Sequence, residues 1–229
     1  MSLDDDLDDA SNPDQGSESW HAERAGCITA SRMGDLIWTP GQVFKSGPRK
    51  GQPKPPPDGR NTYINQIVAE LLTGQAIDQV RARQLDYGHE MEPFAVSAYE
   101  GKTGQLVEQC GFLRHPNYPF IGASPDFLVD ENGGGEIKCP MSIVVHAATL
   151  RDGLPDEHIE QIQGGLWVTG RAWWDFVSFN PRFPPGLDLY VQRVHRDDAR
   201  ISIMKQCCLS AWDEVQSIVA KLRQKEVSP

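Results

Sequence analysis

The sequence predicts an α/β protein with a central, mostly antiparallel or mixed β-sheet flanked by helices. Apolar residues between 63 and 72 recur at three- and four-residue spacing, which is typical of an amphipathic helix. Shorter patterns rich in strand-forming residues follow between 106 and 138, and a long helical pattern fills 199–225. The order of helices, strands and helices therefore favours a sheet covered by helices.

Helical patterns in the first half of the chain cover residues 21–25, 30–37, 63–72 and a stretch that ends near residue 102. Gly74 is expected to end the third of these helices. Because proline is tolerated in a helix only in the first turn, Pro93 predicts that the fourth helix begins between Gly88 and Glu92. Residues 39–60 hold six prolines and several glycines, so we expect an irregular, mobile loop there.

The second half of the chain alternates strand and helix patterns. Strands are predicted at 106–113, 127–129, 136–138, 172–179 and 187–194, and helices at 143–150, 157–169 and 199–225. The glycines at 133–135 are interpreted as a turn between two strands, because no helix follows them to form a phosphate-binding loop.

Length and composition suit one domain, which we place at residues 19–229. The chain has 229 residues, and 39% are hydrophobic, which is enough for a substantial core. Residues 1–18 hold seven acids and no base, so we expect them to form a disordered acidic tail. Without a membrane-length apolar run or a basic signal peptide, we expect a soluble, intracellular protein. Five cysteines without a C-x-x-C pair indicate neither a disulfide framework nor a zinc or iron–sulfur site.

The charge is unevenly distributed along the chain. The formal net charge of −10 is unusual for a protein that binds nucleic acid, since Lys and Arg supply much of such affinity. Between Lys45 and Arg60, however, five basic residues stand against a single acid. This segment is either part of a locally basic channel or a solvated basic loop.

The most informative motif is Ser124-Pro125-Asp126, followed after nine residues by Glu136-Ile137-Lys138. Side chains alternate across a strand, so Glu136 and Lys138 should point to one face while Ile137 points into the core. Carboxylate oxygens are preferred Mg²⁺ ligands, and a magnesium site takes only one or two of them beside water and substrate phosphate. The motif therefore indicates a metal-dependent phosphodiesterase, although a solvated charged hairpin would show the same spacing.

Further motifs in the same order give the chain a recognisable signature. They are Trp20-His21-x-x-Arg24, Ile28-Thr29-Ala30-Ser31, Gly88-x-x-x-Glu92, the two motifs above, Gln161-x-Gln163 and Leu166-Trp167-Val168-Thr169. Together they resemble the phage lambda exonuclease group, the alkaline exonucleases of the YqaJ-type viral recombinase branch. This branch belongs to the PD-(D/E)xK nucleases, so the resemblance implies a restriction-endonuclease-like core.

The resemblance also implies a site for two Mg²⁺ ions, for which Mn²⁺ could substitute. Asp126 and Glu136 correspond to the main metal ligands, the backbone carbonyl of Ile137 completes the protein ligands, and Glu92 corresponds to a helix carboxylate near the metals. Lys138 corresponds to the lysine that orients or helps deprotonate the attacking water. The expected catalytic residues are Glu92, Asp126, Glu136, Lys138 and Gln161.

Other positions correspond to DNA contacts in the group. Arg24, Ser31 and Ser124 match residues that hold the 5′-terminal phosphate, and a guanidinium with two hydroxyls suits phosphate oxygens. Leu85 matches an apolar wedge that separates the strands, or else it packs at the start of a helix. Arg83 could contact backbone phosphates, or it could be solvated.

The function implied is an Mg²⁺-dependent, processive 5′–3′ exonuclease. It would degrade one strand of linear double-stranded DNA and leave a 3′ overhang for phage-type recombination in the cytoplasm of a bacterial host. A ring-shaped homotrimer and a single-strand annealing protein as partner follow from the same resemblance. Two alternatives remain open, a restriction- or repair-type endonuclease of the same fold and a catalytically silent DNA-end-binding module.

Overall fold

The computed structural model describes residues 15–38, 41–77 and 83–227, with the backbone alone described at 83–86 and 226–227. The helices are α1 (Glu18–Arg24), α2 (Met33–Leu36), α3 (Asp58–Thr73), α4 (Arg83–Thr103), α5 (Ile143–Asp152), α6 (Ile159–Thr169) and α7 (Asp198–Val227). Short 3-10 turns at Ala30–Arg32 and Asp156–His158 lead into α2 and α6. The strands are β1 (Ile28–Thr29), β2 (Leu113–His115), β3 (Tyr118–Ala123), β4 (Phe127–Val129), β5 (Gly133–Lys138), β6 (Trp173–Phe179) and β7 (Leu189–His195).

The strands form two mixed sheets. The smaller sheet has the order β1-β3-β2, with β1 parallel and β2 antiparallel to β3. The larger sheet has the order β4-β5-β6-β7, and only its central pair, β5 and β6, runs parallel. A parallel pair requires a crossover, and here α5 and α6 supply it. The predicted combination of mixed sheet and helices is confirmed.

The larger sheet is covered on both faces. Along β6, Trp174 and Phe176 join one buried apolar group together with side chains of α6 and α7. Val177 and Phe179 join a second group with Tyr99 of α4 and residues of β4 and β5. This alternation is the one expected of a strand with apolar neighbours on each side. The larger sheet therefore lies between α6 on one face and α4 on the other.

Two predicted boundaries in the first half of the chain are wrong. Helix α4 begins at Arg83, and Pro93 lies in its interior, although proline removes the N–H that would bond the His89 carbonyl. Ala95 and Tyr99, in the following turn, are fully buried against the larger sheet, and this packing outweighs the local penalty. At the N-terminus, Ser17 accepts a hydrogen bond from Trp20 N and caps α1. The structured chain thus begins before residue 19, while residues 1–14 lie outside the described part.

The glycines at 133–135 are not a turn but the first half of β5. They pair with β4 on one side and β6 on the other. An added Cβ at Gly133, Gly134 or Gly135 would come within 2.0, 2.6 and 1.9 Å of the rings of Trp173, Trp174 and Phe127 in turn. Aromatic rings lie where side chains would be, so glycine is required for close approach. The turn is instead confined to residues 130–132.

The strand predicted at 106–113 is also largely wrong. Residues 105–112 contain a single isolated bridge, between Glu108 and Leu128, and β2 begins only at Leu113. The next strand, β3, covers Tyr118–Ala123, a stretch in which no strand was predicted. The predicted strand at 127–129 and the helices at 143–150, 157–169 and 199–225 are present with small shifts of their ends.

The proline-rich segment contains no helix or strand at residues 41–57, as predicted, apart from one isolated bridge between Val43 and Pro53. It is nevertheless ordered by backbone hydrogen bonds, including Phe44 N to Gln52 O at 3.0 Å and Gly51 N to Phe44 O at 2.9 Å. Helix α3 then begins at Asp58. No helix within the described ranges combines the length and the apolar character needed to cross a membrane.

Candidate active site

The β4–β5 hairpin brings the two main acids of the sequence motif together. Asp126 immediately precedes β4, and its N–H donates to Gly135 O at 3.2 Å, which extends the pairing of the two strands by one step. In return, Ile137 N donates to Asp126 Oδ2 at 2.6 Å. The Asp126 carboxylate is therefore fixed beside Ile137, between the positions of Glu136 and Lys138. The backbone accounts for this geometry without help from other side chains.

Glu136 is the centre of the cluster. Its side chain is only 6% exposed, and its Oε1 accepts a hydrogen bond from Lys138 Nζ at 2.6 Å. The same oxygen accepts a hydrogen bond from Nε2 of Gln161, the third residue of α6. The predicted same-face arrangement of Glu136 and Lys138 is present, and the structure brings Gln161 to it.

The electrostatics of the cluster are dominated by its carboxylates. Burial raises the pKa of Asp126 well above its usual range, and the neighbouring Glu136 and Glu92 raise it further. Burial alone would lower the pKa of Lys138, but the charges of Glu136, Asp126 and Glu92 outweigh burial and raise it. Lys138 is therefore an ammonium at neutral and alkaline pH, and the cluster as a whole attracts further positive charge.

Glu92 lies near this cluster but is not hydrogen-bonded into it. Its carboxylate, on α4, lies 3.9 Å from His89 Nδ1. Burial raises the pKa of Glu92, His89 opposes the shift, and Glu136 adds to it, so the field of the site reaches this helix. Within the described residues, no three His, Cys, Asp or Glu side chains converge into a ready-made metal cage.

The donor set nevertheless fits a hard divalent cation. Asp126 and Glu136 offer carboxylate oxygens and Ile137 offers a backbone carbonyl, whereas Mg²⁺ requires only one or two carboxylates and completes its shell with water and phosphate. The pKa of Asp126 is raised first by burial and then by the charges of Glu136 and Glu92, so part of the shift comes from repulsion between the acids at this edge. A divalent cation between them would relieve that repulsion, so these residues suit the metal implied by the resemblance.

A second cluster, next along the chain, joins two of the three predicted phosphate contacts. Ser124 Oγ accepts hydrogen bonds from Arg24 Nη1 at 3.3 Å and from Trp20 Nε1 at 3.1 Å. The Arg24 guanidinium lies 3.9 Å from the centre of the Trp20 ring. Burial lowers the pKa of Arg24, while several groups, including Glu136, oppose the shift. The two clusters therefore share one electrostatic environment, separated along the chain only by Pro125.

The third predicted phosphate contact, Ser31, lies two residues beyond Thr29 of β1, and Thr29 pairs in parallel with Gly122, two residues before Ser124. The Ser31 hydroxyl is exposed, and its oxygen lies 3.3 Å from Thr29 Oγ1. It belongs to the 3-10 turn that leads into α2, whereas Arg24 ends α1. The side chains of Leu85 and Arg83, the predicted wedge and backbone contact, lie outside the described residues; their backbone forms the first turn of α4.

Two contacts of this region were absent from the predicted site. Trp20 contacts both Arg24 and Ser124. The sequence could have indicated the contact with Arg24, because residues four apart on a helix share a face. Gln15 Nε2 donates to Pro125 O at 2.7 Å, so the end of the acidic segment meets the chain between Ser124 and Asp126. Nothing in the local sequence indicates this contact, which spans 110 residues.

Comparison with known proteins places this arrangement in a family. The YqaJ-like viral recombinase domain matches residues 54–172, slightly more than half of the chain. The alkaline exonuclease LHK-Exo from Laribacter hongkongensis is 32% identical, with a TM-score of 0.78 over 92% of this chain and 98% of that one. LHK-Exo in complex with dAMP gives the same values.

More distant relatives agree on the fold. A phage-related exonuclease from Haemophilus somnus has a TM-score of 0.63 over 86% of this chain and 96% of that one, and at 16% identity it supports the fold alone. An uncharacterised protein of Acanthamoeba polyphaga mimivirus is 25% identical over 202 residues. That match covers 76% of this chain but only 33% of the viral protein. The fold is therefore that of the restriction-endonuclease-like alkaline exonucleases, and the chain belongs to the YqaJ-like viral recombinase family of nucleases.

Proposed function

We propose that this nuclease removes nucleotides from the 5′ end of one strand of linear double-stranded DNA and leaves a 3′ overhang. The observation that carries the proposal is the adjacency of two clusters. One holds Asp126, Glu136 and Lys138, and the other holds Arg24 and Ser124. A site for a terminal phosphate beside a hydrolytic site defines which bond is cut. The exonuclease named among the structural relatives was also solved with dAMP, a nucleoside monophosphate.

Asp126, Glu136 and the carbonyl of Ile137 would hold the metal, and Glu92, which feels the charges of Glu136 and Lys138, is the proposed additional carboxylate. Two Mg²⁺ ions, when bound, supply charge stabilisation to the attacking and leaving oxygens of an in-line displacement. Mn²⁺ accepts the same oxygen ligands and is the expected substitute.

The protein's own groups position and stabilise the reacting atoms. Lys138 remains an ammonium, so it does not accept a proton, and its charge stabilises the negative charge that develops at the scissile phosphate. Gln161 and Lys138 both donate to Glu136 Oε1, so the other carboxylate oxygen, Oε2, is the proposed metal ligand. Burial of the Glu136 side chain excludes water from one face of the site and strengthens these interactions.

The direction of digestion would follow from the second cluster, which contains Arg24 and Ser124. Arg24 presents a guanidinium already oriented by the Trp20 ring, and Ser124 adds a hydroxyl. Both suit a terminal phosphate, which carries more charge than a phosphodiester. Ser31 would join them from the turn before α2. Binding the 5′ phosphate here places the first phosphodiester next to Asp126, so one nucleotide is released in each cycle.

Two features of the proposal concern partners. The resemblance to the lambda exonuclease group implies a ring-shaped homotrimer around DNA, and such a ring would let an acidic chain remain on its substrate and digest processively. Sedimentation should then give about three times the chain mass of 25.5 kDa. A single-strand annealing protein that coats the 3′ overhang is the proposed partner, and the host cytoplasm the proposed location.

The proposal is tested with linear duplexes labelled at either end, with and without a 5′ phosphate and Mg²⁺, beside a closed circular duplex. We expect Mg²⁺-dependent release of 5′ mononucleotides, an intact complementary strand and intact circles. Cleavage of circles would instead establish the endonuclease alternative, and loss of label from 3′ ends would reverse the polarity. Glu136→Gln should abolish release, whereas Glu131→Gln, an exposed acid in the turn of the same hairpin, should retain it. Binding of DNA ends without any cleavage under these conditions would support the silent module.

A further inference from the structure

Residues 41–54 form an ordered projection, which we call the basic hairpin. Its two arms are joined by backbone hydrogen bonds from Phe44 N to Gln52 O, from Gly51 N to Phe44 O and from Lys54 N to Gln42 O. Two further bonds close its tip, from Lys50 N to Gly47 O and from Gln52 N to Arg49 O. The shape of the basic hairpin therefore depends on its backbone and not on its basic side chains.

The charge of the basic hairpin has a single sign. It carries Lys45, Arg49, Lys50 and Lys54, and residues 41–57 contain no acid. All four side chains belong to exposed residues. Arg49 lies flat over the Phe44 ring at 4.1 Å, and within the described residues none of the four forms an ion pair with a carboxylate. These residues give a local charge of +4 in a chain whose formal net charge is −10. Such a concentration of unpaired positive charge favours the binding of an external anion.

The base of the basic hairpin is attached to Trp38 and, through it, to α7. Trp38 Nε1 donates to Lys54 O at 3.0 Å, and Cys207 Sγ of α7 donates to Trp38 O at 3.6 Å. Arg60 lies over the Trp38 ring and pairs with Glu214 of α7 at 2.8 Å. These contacts fix the base of the basic hairpin against α7.

That base is connected to the active-site region through α2, which lies between it and the Ser31 turn and contacts α6. Helix α2 begins directly after the turn that contains Ser31, and it ends two residues before Trp38. Gly34 of α2 lies against Glu160 of α6, the residue before Gln161. The basic hairpin thus projects from the segment that connects the proposed phosphate site to the helix behind the carboxylates.

We propose that the basic hairpin binds backbone phosphates of the duplex beyond the terminal nucleotide, an inference that rests on the proposed function for its DNA substrate. Duplex DNA presents one negative charge about every 1.7 Å along its axis, which matches several cations on one short projection. Phe44, the aromatic residue of the basic hairpin, is half-buried with Arg49 over one face of its ring, whereas the four basic residues are exposed. The contact is therefore electrostatic and independent of DNA sequence, and it holds the duplex in place while the end nucleotide is removed.

The test compares two variants with the same change in charge. Lys45→Ala/Lys50→Ala/Lys54→Ala removes three cations from the basic hairpin and leaves the Arg49–Phe44 contact intact. Lys221→Ala/Arg223→Ala/Lys225→Ala removes three exposed cations near the end of α7. Binding of a blunt, 5′-phosphorylated duplex is measured by fluorescence anisotropy in EDTA, between about 50 and 200 mM salt.

For the hairpin variant, the slope of log affinity against log salt should fall in magnitude by about 2.7, since each phosphate contact contributes about 0.9. The α7 variant should keep the slope of the unmodified protein. An unchanged slope in the hairpin variant, or equal changes in both variants, would overturn the inference; the first result would also be seen if the hairpin bound an acidic protein instead. Circular dichroism melting confirms that both variants are folded.

A separate readout keeps this inference apart from the proposed function. If the unmodified protein digests linear duplex from its 5′ ends but the hairpin slope is unchanged, only the hairpin inference fails. If the unmodified protein digests no linear duplex, the proposed function fails, whatever the slope. When both hold, the hairpin variant should still release the first nucleotide at low salt, but should lose processive digestion of long duplexes as salt is raised.

Discussion

Replacement of Lys138 by alanine should separate catalysis from binding at this site. The Lys138 ammonium lies 2.6 Å from Glu136 Oε1, and carboxylate charges keep it protonated. Alanine removes a positive charge from the edge where the scissile phosphate is expected, while the hydrogen bond from Ile137 N to the Asp126 carboxylate does not involve the Lys138 side chain and remains. We therefore expect cleavage to fall while the metal and the DNA still bind.

The size of the effect can be estimated from the exposure of the side chain. Lys138 is 34% exposed, which corresponds to a partly screened position. Two unit charges about 4 Å apart interact by about 4 kcal/mol at the effective permittivity near a protein surface. Groups that stabilise developing charge in other enzymes contribute about 2.7–4 kcal/mol, or about 10²–10³ in rate. A loss of that order in the single-turnover rate is expected.

The assay is release of the 5′ nucleotide from a pre-bound linear duplex, started by adding Mg²⁺. Titration with Mg²⁺ provides the second readout, because loss of a cation makes the site more negative and should leave metal affinity unchanged or slightly higher. A merely structural role would lower both rate and metal affinity. A variant that cleaves within about tenfold of the unmodified rate would refute the assignment of Lys138.

Three other outcomes are expected. Ser124→Ala, which removes the acceptor of the Arg24 hydrogen bond, should reduce the ratio of rates on phosphorylated and hydroxyl 5′ ends; an unchanged ratio would place the phosphate elsewhere. Burial lowers the pKa of His115, so the folded chain binds that proton more weakly than the unfolded chain, and stability is lost as pH falls below about 6.5. His115→Gln should make this loss of stability smaller in melting experiments. An equal loss of stability in the variant and the unmodified protein would contradict the role of His115. Deletion of residues 1–14, six aspartates without a base, takes the formal net charge from −10 to −4 next to the Gln15 contact, so DNA affinity at low salt should rise; constant affinity would show that this segment does not repel DNA.

The sequence was most informative where chemistry and local structure coincide. Asp126, Glu136 and Lys138 could be located because a short hairpin brings them together through its own backbone pairing. Gln161 required the family resemblance, since 25 residues separate it from Glu136. The contact between Gln15 and Pro125 spans 110 residues and joins ordinary polar groups, so no local pattern could predict it.

Errors in the predicted fold arose where tertiary contacts outweigh local preference. Pro93 would start a helix on local grounds, but burial of Ala95 and Tyr99 favours a continuous α4. Residues 105–112 have strand-like composition, yet apart from the Glu108 bridge they find no partner strand within the described residues. In contrast, α7 was predicted closely, because an amphipathic pattern of that length determines its own secondary structure.

The glycines of β5 have a consequence for engineering the site. Three rings occupy the space in which side chains at 133–135 would lie, so any larger residue there would push Trp173, Trp174 or Phe127 outward and tilt β5, the strand that carries Glu136. The separation of Asp126 and Glu136, the two acids proposed to hold the metal, thus depends on residues that carry no side chain. Attempts to alter ion preference or turnover should leave this strand untouched and vary α4 and α6, whose side chains approach the acids from outside.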